Sequence, residues 1–240
     1  MLSWKVDFTG LIGLCSALSK GSLGSQMVKV KWWGHACFEV RDKKTVVIDP
    51  HDGVSVGLKP PGVKADLVLV THSHFDHASG VNLVAKPGAK TISRGGEEVV
   101  DKIRVRGIRT YHDKSAGKQR GENIVYVFEI DGLRMCHLGD IGHVPTSSQV
   151  GEMGEVDVLF VPVGGVYTID AREATETVNV LRPRIAVPMH YSVKGLSVQI
   201  AGVEGFLQGK KNVKRISSSE VEVSKDMLPE KTEIWVLSYS

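Results

Sequence analysis

Residues 67–80 read LVLVTHSHFDHASG. Four apolar residues run into His72, His74, Asp76 and His77 within a few positions. A short continuous apolar run bounded by polar residues is the pattern of a strand buried on both faces. Strand ends in α/β folds converge on one rim, where sites are built. His72 and His74 lie two apart, so in extended backbone they face the same way and can grip one cation together. Asp76 and His77 begin the following helix and turn another way, which suits a second cation. Neutral imidazole nitrogen and carboxylate oxygen are ligands that zinc, manganese and iron accept. The competing reading is a solvated polar turn. At this chain's His and Asp frequencies an HxHxDH string arises by chance on the order of 10⁻³ times per chain, which favours the metal reading.

The surrounding chain supports a core able to hold such a site. It has 240 residues, 42% of them hydrophobic and 24% charged, which suits one globular domain. A net charge of +3 is too weak to imply a nucleic-acid partner. Cys15, Cys37 and Cys136 are far apart and form no CxxC pair. They argue against a disulfide framework and for a reducing, cytoplasmic setting. No apolar run reaches the roughly 18–20 residues of a membrane span. In residues 1–26 the apolar stretch LIGLCSAL follows Asp7 and lacks a clear cleavage site, so a secretory signal is poorly supported. We read 1–26 as an N-terminal extension outside the fold and 27–240 as one domain.

From Met27 onward, strands are dense. The pattern predicts strands at 28–33, 36–41 and 44–49, then a Gly/Pro loop, then the strand ADLVLVT. HASGVNLVAK reads as a helix, and TISRGGEEVVDKI as a strand followed by a second helix. RVRGIRTYH, NIVYVFEI and LRMCHLGD read as strands, the last two joined at Asp131-Gly132. VDVLFVPV is another buried strand. TIDAREATETVNVLRP is the clearest helix, with Asp170 as its cap, Glu173 as capping-box partner and Pro183 as its stop. RIAVPMH is a strand; the tail predicts a helix near 197–208 and strands near 213–223 and 232–238. Strand clusters with interspersed helices predict two sheets covered by helices.

Three more ligand candidates end predicted strands: His112 after RVRGIRTY, Asp140 after LRMCHLG, and His190 after RIAVPM. A single histidine at a strand end is more often a hydrogen-bonded structural residue. Together with the first cluster they give five His and two Asp, enough for two cations roughly 3.5–4 Å apart with Asp140 placed to bridge them.

The ordered combination THSHFDH, a later single His, HLGD and PMHY resembles the metallo-β-lactamase superfamily. WWGHACFEV, VVIDP and VDVLFVPVGGVYTIDAREATE narrow the resemblance. They point to its small metal-dependent hydrolase branch, related to the ascorbate-6-phosphate lactonases and the N-acyl-phosphatidylethanolamine phospholipases D. The resemblance covers about 27–240 and implies a four-layer αββα sandwich with metals at one edge. It also implies that His72, His74 and His112 bind a first metal, that Asp76, His77 and His190 bind a second, and that Asp140 bridges. Asp49 would be a buried residue orienting the ligand loop. The chain shows no sign of the large inserts of the nucleic-acid-processing branches, and it departs from true β-lactamases at several positions.

The remaining histidines divide by context. His35 in GHACF and His143, three residues after Asp140, are candidates for a place beside the site or against substrate. His51, just after Asp49-Pro50, either approaches the site or is an exposed loop residue, the second reading being favoured, and His137 reads as a core histidine. Gly164, Gly165, Tyr167 and Thr168 form a loop that either lines a pocket or merely connects. Lys102, Arg104 and Arg106, and the run GKKNVKR, read as solvated faces.

These residues predict a hydrolase. Bound metal lowers the pKa of water from 15.7 to roughly 7, and a hydroxide shared by two cations would cleave an ester, lactone or phosphodiester, with Asp76 orienting it or accepting its proton. Two divalent ions are implied, zinc first, with manganese or iron as alternatives. Competing readings are a nucleic-acid phosphodiesterase, a di-iron redox protein of the same fold and a metal-binding protein without catalysis. The expected partner is a small-molecule substrate; a homo-oligomer is compatible with the sequence.

Overall fold

The computed structural model describes residues 27–239. The extension read at 1–26, with Cys15, lies outside the described residues. Strands β1 (Val28–Trp32), β2 (Phe38–Arg41) and β3 (Thr45–Ile48) form an antiparallel meander. β4 (Ala65–Leu69) joins β3 in parallel. Two single-turn helices, α1 (Phe75–Ala78) and α2 (Val81–Val84), lead into β5 (Ala85–Ile92), parallel to β4. β6 (Gly96–Val100), β7 (Ile103–Tyr111), β8 (Glu122–Ile130) and β9 (Leu133–His137) then run as an antiparallel series. Helix α3 (Ser147–Met153) precedes β10 (Val158–Pro162), which is parallel to β9, and α4 (Ala171–Leu181) precedes β11 (Ile185–Met189), parallel to β10. The tail holds α5 (Glu204–Leu207), β12 (Val213–Ile216), β13 (Glu220–Val223) and β14 (Glu233–Leu237).

The strands form one six-stranded sheet, β13-β1-β2-β3-β4-β5, and one eight-stranded sheet, β12-β14-β11-β10-β9-β8-β7-β6. Strand alternation explains the layering. Val46, Ile48, Leu67 and Leu69 enter the main core shared with the second sheet. Val47 and Val68, on the opposite face, pack with Val84, Ala78 and Val81 of the helical layer. Both faces of β3 and β4 are therefore buried, which is why their sequences read as unbroken apolar runs. On the second sheet, Ala174, Val178 and Leu181 of α4 join the core beside β10 and β11. The result is the αββα sandwich that the sequence predicts.

Helix α4 begins and ends as its sequence predicts. The Asp170 carboxylate accepts from the Glu173 N–H at 2.8 Å, and the Glu173 carboxylate accepts from the Asp170 N–H at 3.1 Å. Arg182 closes the helix in a left-handed conformation, just before Pro183.

Four local predictions are corrected. The helix expected at EEVVDKI is strand β6, paired with β7 through Gly96↔Gly107 and Glu97↔Arg106, so cross-strand pairing overrides local helix propensity. The helix read over HASGVNLVAK is broken at Gly80. A Cβ there would meet the His51 carbonyl oxygen at 2.3 Å, and the Gly80 N–H donates to the Pro50 carbonyl at 2.8 Å. The helix expected near 197–208 shrinks to Glu204–Leu207. The strand expected at 213–223 is two strands in different sheets, β12 beside β14 and β13 beside β1. Helix α3 was not foreseen, although TSSQ carries a capping box in which Thr146 and Gln149 bond reciprocally. Only Val150 and Met153 give this short helix an apolar face, and Gly151 lowers its helix propensity.

Candidate metal centre

The site forms at one rim because five strands end there. Asp49 follows β3, Thr71 and His72 follow β4, His112 follows β7, Asp140 follows β9 and His190 follows β11. His35 comes from the β1–β2 turn, and Asp76 and His77 lie on α1. The structure brings all seven sequence-predicted ligands together. His72, His74 and His112 form one group whose potential ligand atoms lie within 4.8 Å of one another. Asp76, His77 and His190 form a second with His35, and Asp140 groups with His72 and His77. Asp140 Oδ2 sits 3.2 Å from Nε2 of His77, His112 and His190, and 3.9 Å from Nε2 of His72. One carboxylate oxygen thus faces imidazoles of both groups, as a bridging residue must.

Hydrogen bonds behind the cluster fix which ring nitrogens point inward. Asp49 is fully buried; its Oδ1 accepts the Thr71 N–H at 2.8 Å, and its Oδ2 accepts the Thr71 hydroxyl at 2.7 Å and His77 Nδ1–H at 2.9 Å. With its proton given to Asp49, the Thr71 oxygen accepts from His72 Nδ1–H at 3.0 Å. One carboxylate therefore sets the tautomers of both His72 and His77 and turns their Nε2 lone pairs to the centre. His35 Nε2 donates to Asp76 Oδ2 at 3.0 Å, so His35 orients Asp76. Asn123, which sequence reasoning missed, accepts the Asp140 N–H at 2.9 Å through Oδ1, while Nδ2 donates to Thr110 Oγ1 and the Leu138 carbonyl. A lone amide at the start of a strand carries no sequence signal for that role.

The backbone is strained where it bends around the site. His35, Asp49 and His190 have φ of 51°, 48° and 49°, the left-handed region that non-glycine residues avoid at a cost of about 1–3 kcal/mol each. Hydrogen bonds hold them there: Asp49 N–H to the Leu69 carbonyl, and His190 N–H to the His35 carbonyl. Gly164 closes the arrangement. Its N–H donates to the His190 carbonyl, and a Cβ on it would meet that oxygen at 2.2 Å. The loop flagged in the sequence thus buttresses a ligand candidate through this glycine.

The charge balance fits cations. Burial opposes ionisation of Asp140, yet His190 and His77 outweigh it and hold the carboxyl well below its usual range. Burial likewise opposes Asp49 and Asp76, and neighbouring histidines, with His77 foremost at Asp49 and His35 at Asp76, keep both carboxyls depressed. Three buried or nearly buried carboxylates are therefore ionised side by side. Burial disfavours charge on His77, but Asp140 and Asp49 push its pKa well above the usual imidazole range. The field that holds a proton on His77 is one that a cation would satisfy, displacing that proton. His72 and His35 are both pushed down to about 3, chiefly by burial, so they are neutral and able to donate lone pairs. His72 Nε2, His77 Nε2, His190 Nε2 and Asp140 Oδ1 are buried without a hydrogen-bond partner. Native interiors leave few such atoms. The three imidazole nitrogens lie 3.2–3.9 Å from Asp140 Oδ2, an arrangement that fits a metal centre.

The other histidines are placed unequally. His137 is satisfied in the core: Nε2–H donates to the Ala36 carbonyl and Nδ1 accepts the Gly139 N–H. His51 is buried, contrary to its reading as a loop residue at the surface, and donates to the Trp33 carbonyl at 3.1 Å. His143 lies 6.2 Å from the Tyr111 ring and belongs to none of the three ligand groups. Above the centre lies a cavity of about 560 Å³ lined by His74, Asp76, His112 and Asp140 on its floor and by Phe75 and Arg120 on its walls.

Comparison with known proteins identifies the family. A family model for the beta-lactamase superfamily domain matches residues 29–190. A UPF0173 metal-dependent hydrolase of Thermococcus onnurineus is 34% identical over 191 residues, covering 69% of this chain and 85% of that one. A UPF0173 protein of Pyrococcus furiosus is 39% identical over 189 residues, covering 68% and 83%. A crystal structure from Thermotoga maritima, assigned as a Zn-dependent hydrolase of the metallo-beta-lactamase superfamily, superposes with a TM-score of 0.73 at 38% identity, covering 88% of this chain and 98% of that one. The chain therefore belongs to the UPF0173 metal-dependent hydrolase family, within the beta-lactamase superfamily.

Proposed function

We propose that this protein is a hydrolase that uses two divalent cations, zinc by preference, to cleave an ester, lactone or phosphodiester in a small molecule. The observation that carries the reading is the gathering of unpartnered ligand atoms around Asp140, whose carboxylate lines an adjoining cavity. Structural metal sites are closed, whereas catalytic ones keep a position for water or substrate. His72, His74 and His112 would hold one ion, Asp76, His77 and His190 the other, with Asp140 between them. When bound, the ions lower the pKa of water to about 7 and polarise the substrate oxygen.

The chain's own residues supply the rest. Asp76 keeps 14% of its side chain exposed, faces the cavity and is held by His35, so it is placed to orient the attacking water and take its proton. Asp49 and Thr71 fix the tautomers that leave lone pairs inward. The two described cysteines, Cys37 and Cys136, are buried and free, which supports a reducing compartment. Among the described residues no helix is long and apolar enough to cross a membrane.

Elemental analysis of the purified protein beside His74→Ala tests the site, followed by a screen of 4-nitrophenyl esters, lactones and bis(4-nitrophenyl) phosphate with and without Asp140→Ala. Two equivalents of zinc or manganese and a turnover lost in Asp140→Ala are expected. Two irons would favour the redox reading. No metal after reconstitution would overturn the proposal.

A further inference from the structure

Two cavities meet at the rim. One, about 560 Å³, has the ligand candidates His74, Asp76, His112 and Asp140 along it; the other, about 580 Å³, runs alongside past Thr71, His72 and His74. Both volumes lie in the range of small-ligand sites. His74 and Arg120 line both. The other arginines of the side cavity are committed: Arg94 pairs with Glu98 at 2.8 Å and Arg109 with Glu122 at 3.4 Å. Arg120 has no carboxylate partner among the described residues. Its guanidinium instead lies over the Tyr167 ring at 4.6 Å.

Arg120 is exposed, yet its loop is not left to wander. The Asp113 carboxylate accepts backbone N–H groups from Ser115 at 2.7 Å, Gly117 at 3.0 Å, Gln119 at 3.0 Å and Arg120 itself at 2.8 Å. Lys114 ties the same loop to Glu173 of α4 at 2.5 Å. Asp113 directly follows His112, so one short segment carries a ligand candidate, the hub that orders the loop and the arginine. A planar guanidinium held over an aromatic face keeps its donors free for a carboxylate or phosphate oxygen pair. Against it, Phe75 is 58% exposed beside Asp76 and, with Val198, gives the metal cavity an apolar side.

We propose that Arg120 is the substrate's anion anchor. The molecule cleaved carries, away from the scissile bond, an oxyanionic group, carboxylate or phosphate, that docks on Arg120 while a short apolar segment lies along Phe75. Asp113 and Tyr167 are positioning residues for it. This rests on the hydrolase reading for the identity of the bond cut, but the anchor can be tested by binding alone.

The test is calorimetry with butyrate, glutarate and 4-phosphonobutyrate as probes, on zinc-loaded and metal-free protein, for the wild type, Arg120→Ala and Arg120→Lys. The two probes with a second oxyanion should bind wild type roughly ten- to a hundred-fold more tightly than butyrate. On zinc-loaded protein, Arg120→Ala should erase that advantage and leave butyrate unchanged; Arg120→Lys should keep part of it. Whichever two-headed probe loses more in Arg120→Ala identifies carboxylate or phosphate as the natural distal group. If Arg120→Ala weakens all three probes equally on the zinc-loaded protein, or none, the anchor is refuted. If discrimination holds but the wild type hydrolyses nothing in the ester and phosphodiester screen, the hydrolase reading falls and the anchor stands.

Discussion

Asp49→Asn tests the hydrogen-bond relay behind the metal centre. The side chain keeps its shape, but one acceptor oxygen becomes an NH₂ group. If the remaining oxygen stays against the Thr71 N–H, the new donor faces two others, the Thr71 hydroxyl and His77 Nδ1–H. Each charge-assisted bond lost costs about 1.5–3 kcal/mol. His77 can relieve one clash by giving up its Nδ1 proton and keeping the one on Nε2, so a net loss of about 2–4 kcal/mol is expected. At roughly 2–4 °C per kcal/mol for a domain of this size, metal-free protein should melt about 5–15 °C lower. The tautomer change matters more than the stability. A proton on His77 Nε2 points at Asp140 and removes a ligand lone pair, so zinc affinity should fall about ten- to a hundred-fold. Thermal melts of the metal-free protein and competition titration with a chromophoric chelator read the two effects separately. A lower melting point with unchanged zinc affinity would refute the relay through His77. No change in either would refute the placement of Asp49 itself.

Four further outcomes follow from the geometry. Metal-free protein should lose stability as pH falls from about 6.5 toward 3: His35 and His72 have folded pKa values depressed to about 3, so unfolding takes up protons and stability rises with pH. Each contributes about 2 kcal/mol of loss by pH 5, while His77, raised in the folded state, adds nothing to the slope below 6.5; denaturant melts that are flat from pH 7 to 5 would contradict the depressed values. Gly80→Ala forces a Cβ against the His51 carbonyl and should destabilise by more than about 2 kcal/mol, read as a shifted urea midpoint; a neutral result would mean that the α1–α2 break is loose. Asn123→Leu leaves the Asp140 N–H and the Leu138 carbonyl unpaired and should cost about 3 kcal/mol, with weaker zinc binding in the same titration. A chelator should lower the melting point of metal-loaded protein by several degrees, since an ion at a hundred times its Kd contributes about 2.7 kcal/mol; a chelator-insensitive melt would argue against bound metal.

The candidate ligand set was legible because chemistry and periodicity coincide there. Buried parallel strands must read as apolar runs, and polar residues that interrupt them can sit only at the strand ends, which meet on one rim. His72 and His190 are visible for that reason; His112 and Asp140 end strands with antiparallel pairings and are visible only from their place at a strand end. The residues behind them were less legible. Asn123 and Thr71 look like ordinary strand-end polar residues, and their roles follow only from pairings across 17 and 22 positions. His51 read as exposed because proline and glycine surround it, whereas the close approach of Gly80 seals it inside. The EEVV segment failed for a different reason: its helix propensity is local, and the pairing with β7 that makes it a strand is not.

Backbone strain and ligand geometry at this rim are one design. A strand that ended in relaxed extended backbone would carry its next residue onward along the sheet, away from the neighbouring strand ends. The left-handed turns at Asp49 after β3 and His190 after β11 reverse the chain at once, and that at His35 folds the β1–β2 connection under them. Three such residues cost about 3–9 kcal/mol together, comparable to the whole stability of a domain. They persist because each backbone is pinned to the next: Asp49 to Leu69, His190 to His35, Gly164 to His190. Loss of one pin should therefore loosen the others. Gly164→Ala tests this, since its Cβ would push the His190 carbonyl and, through the His190–His35 bond, the residue that holds Asp76. If the pins act together, Gly164→Ala weakens zinc binding at the Asp76–His77–His190 position while leaving the His72–His74–His112 position intact, giving one tight zinc equivalent in place of two. Two unchanged equivalents would show that the rim tolerates independent movement of its strained residues.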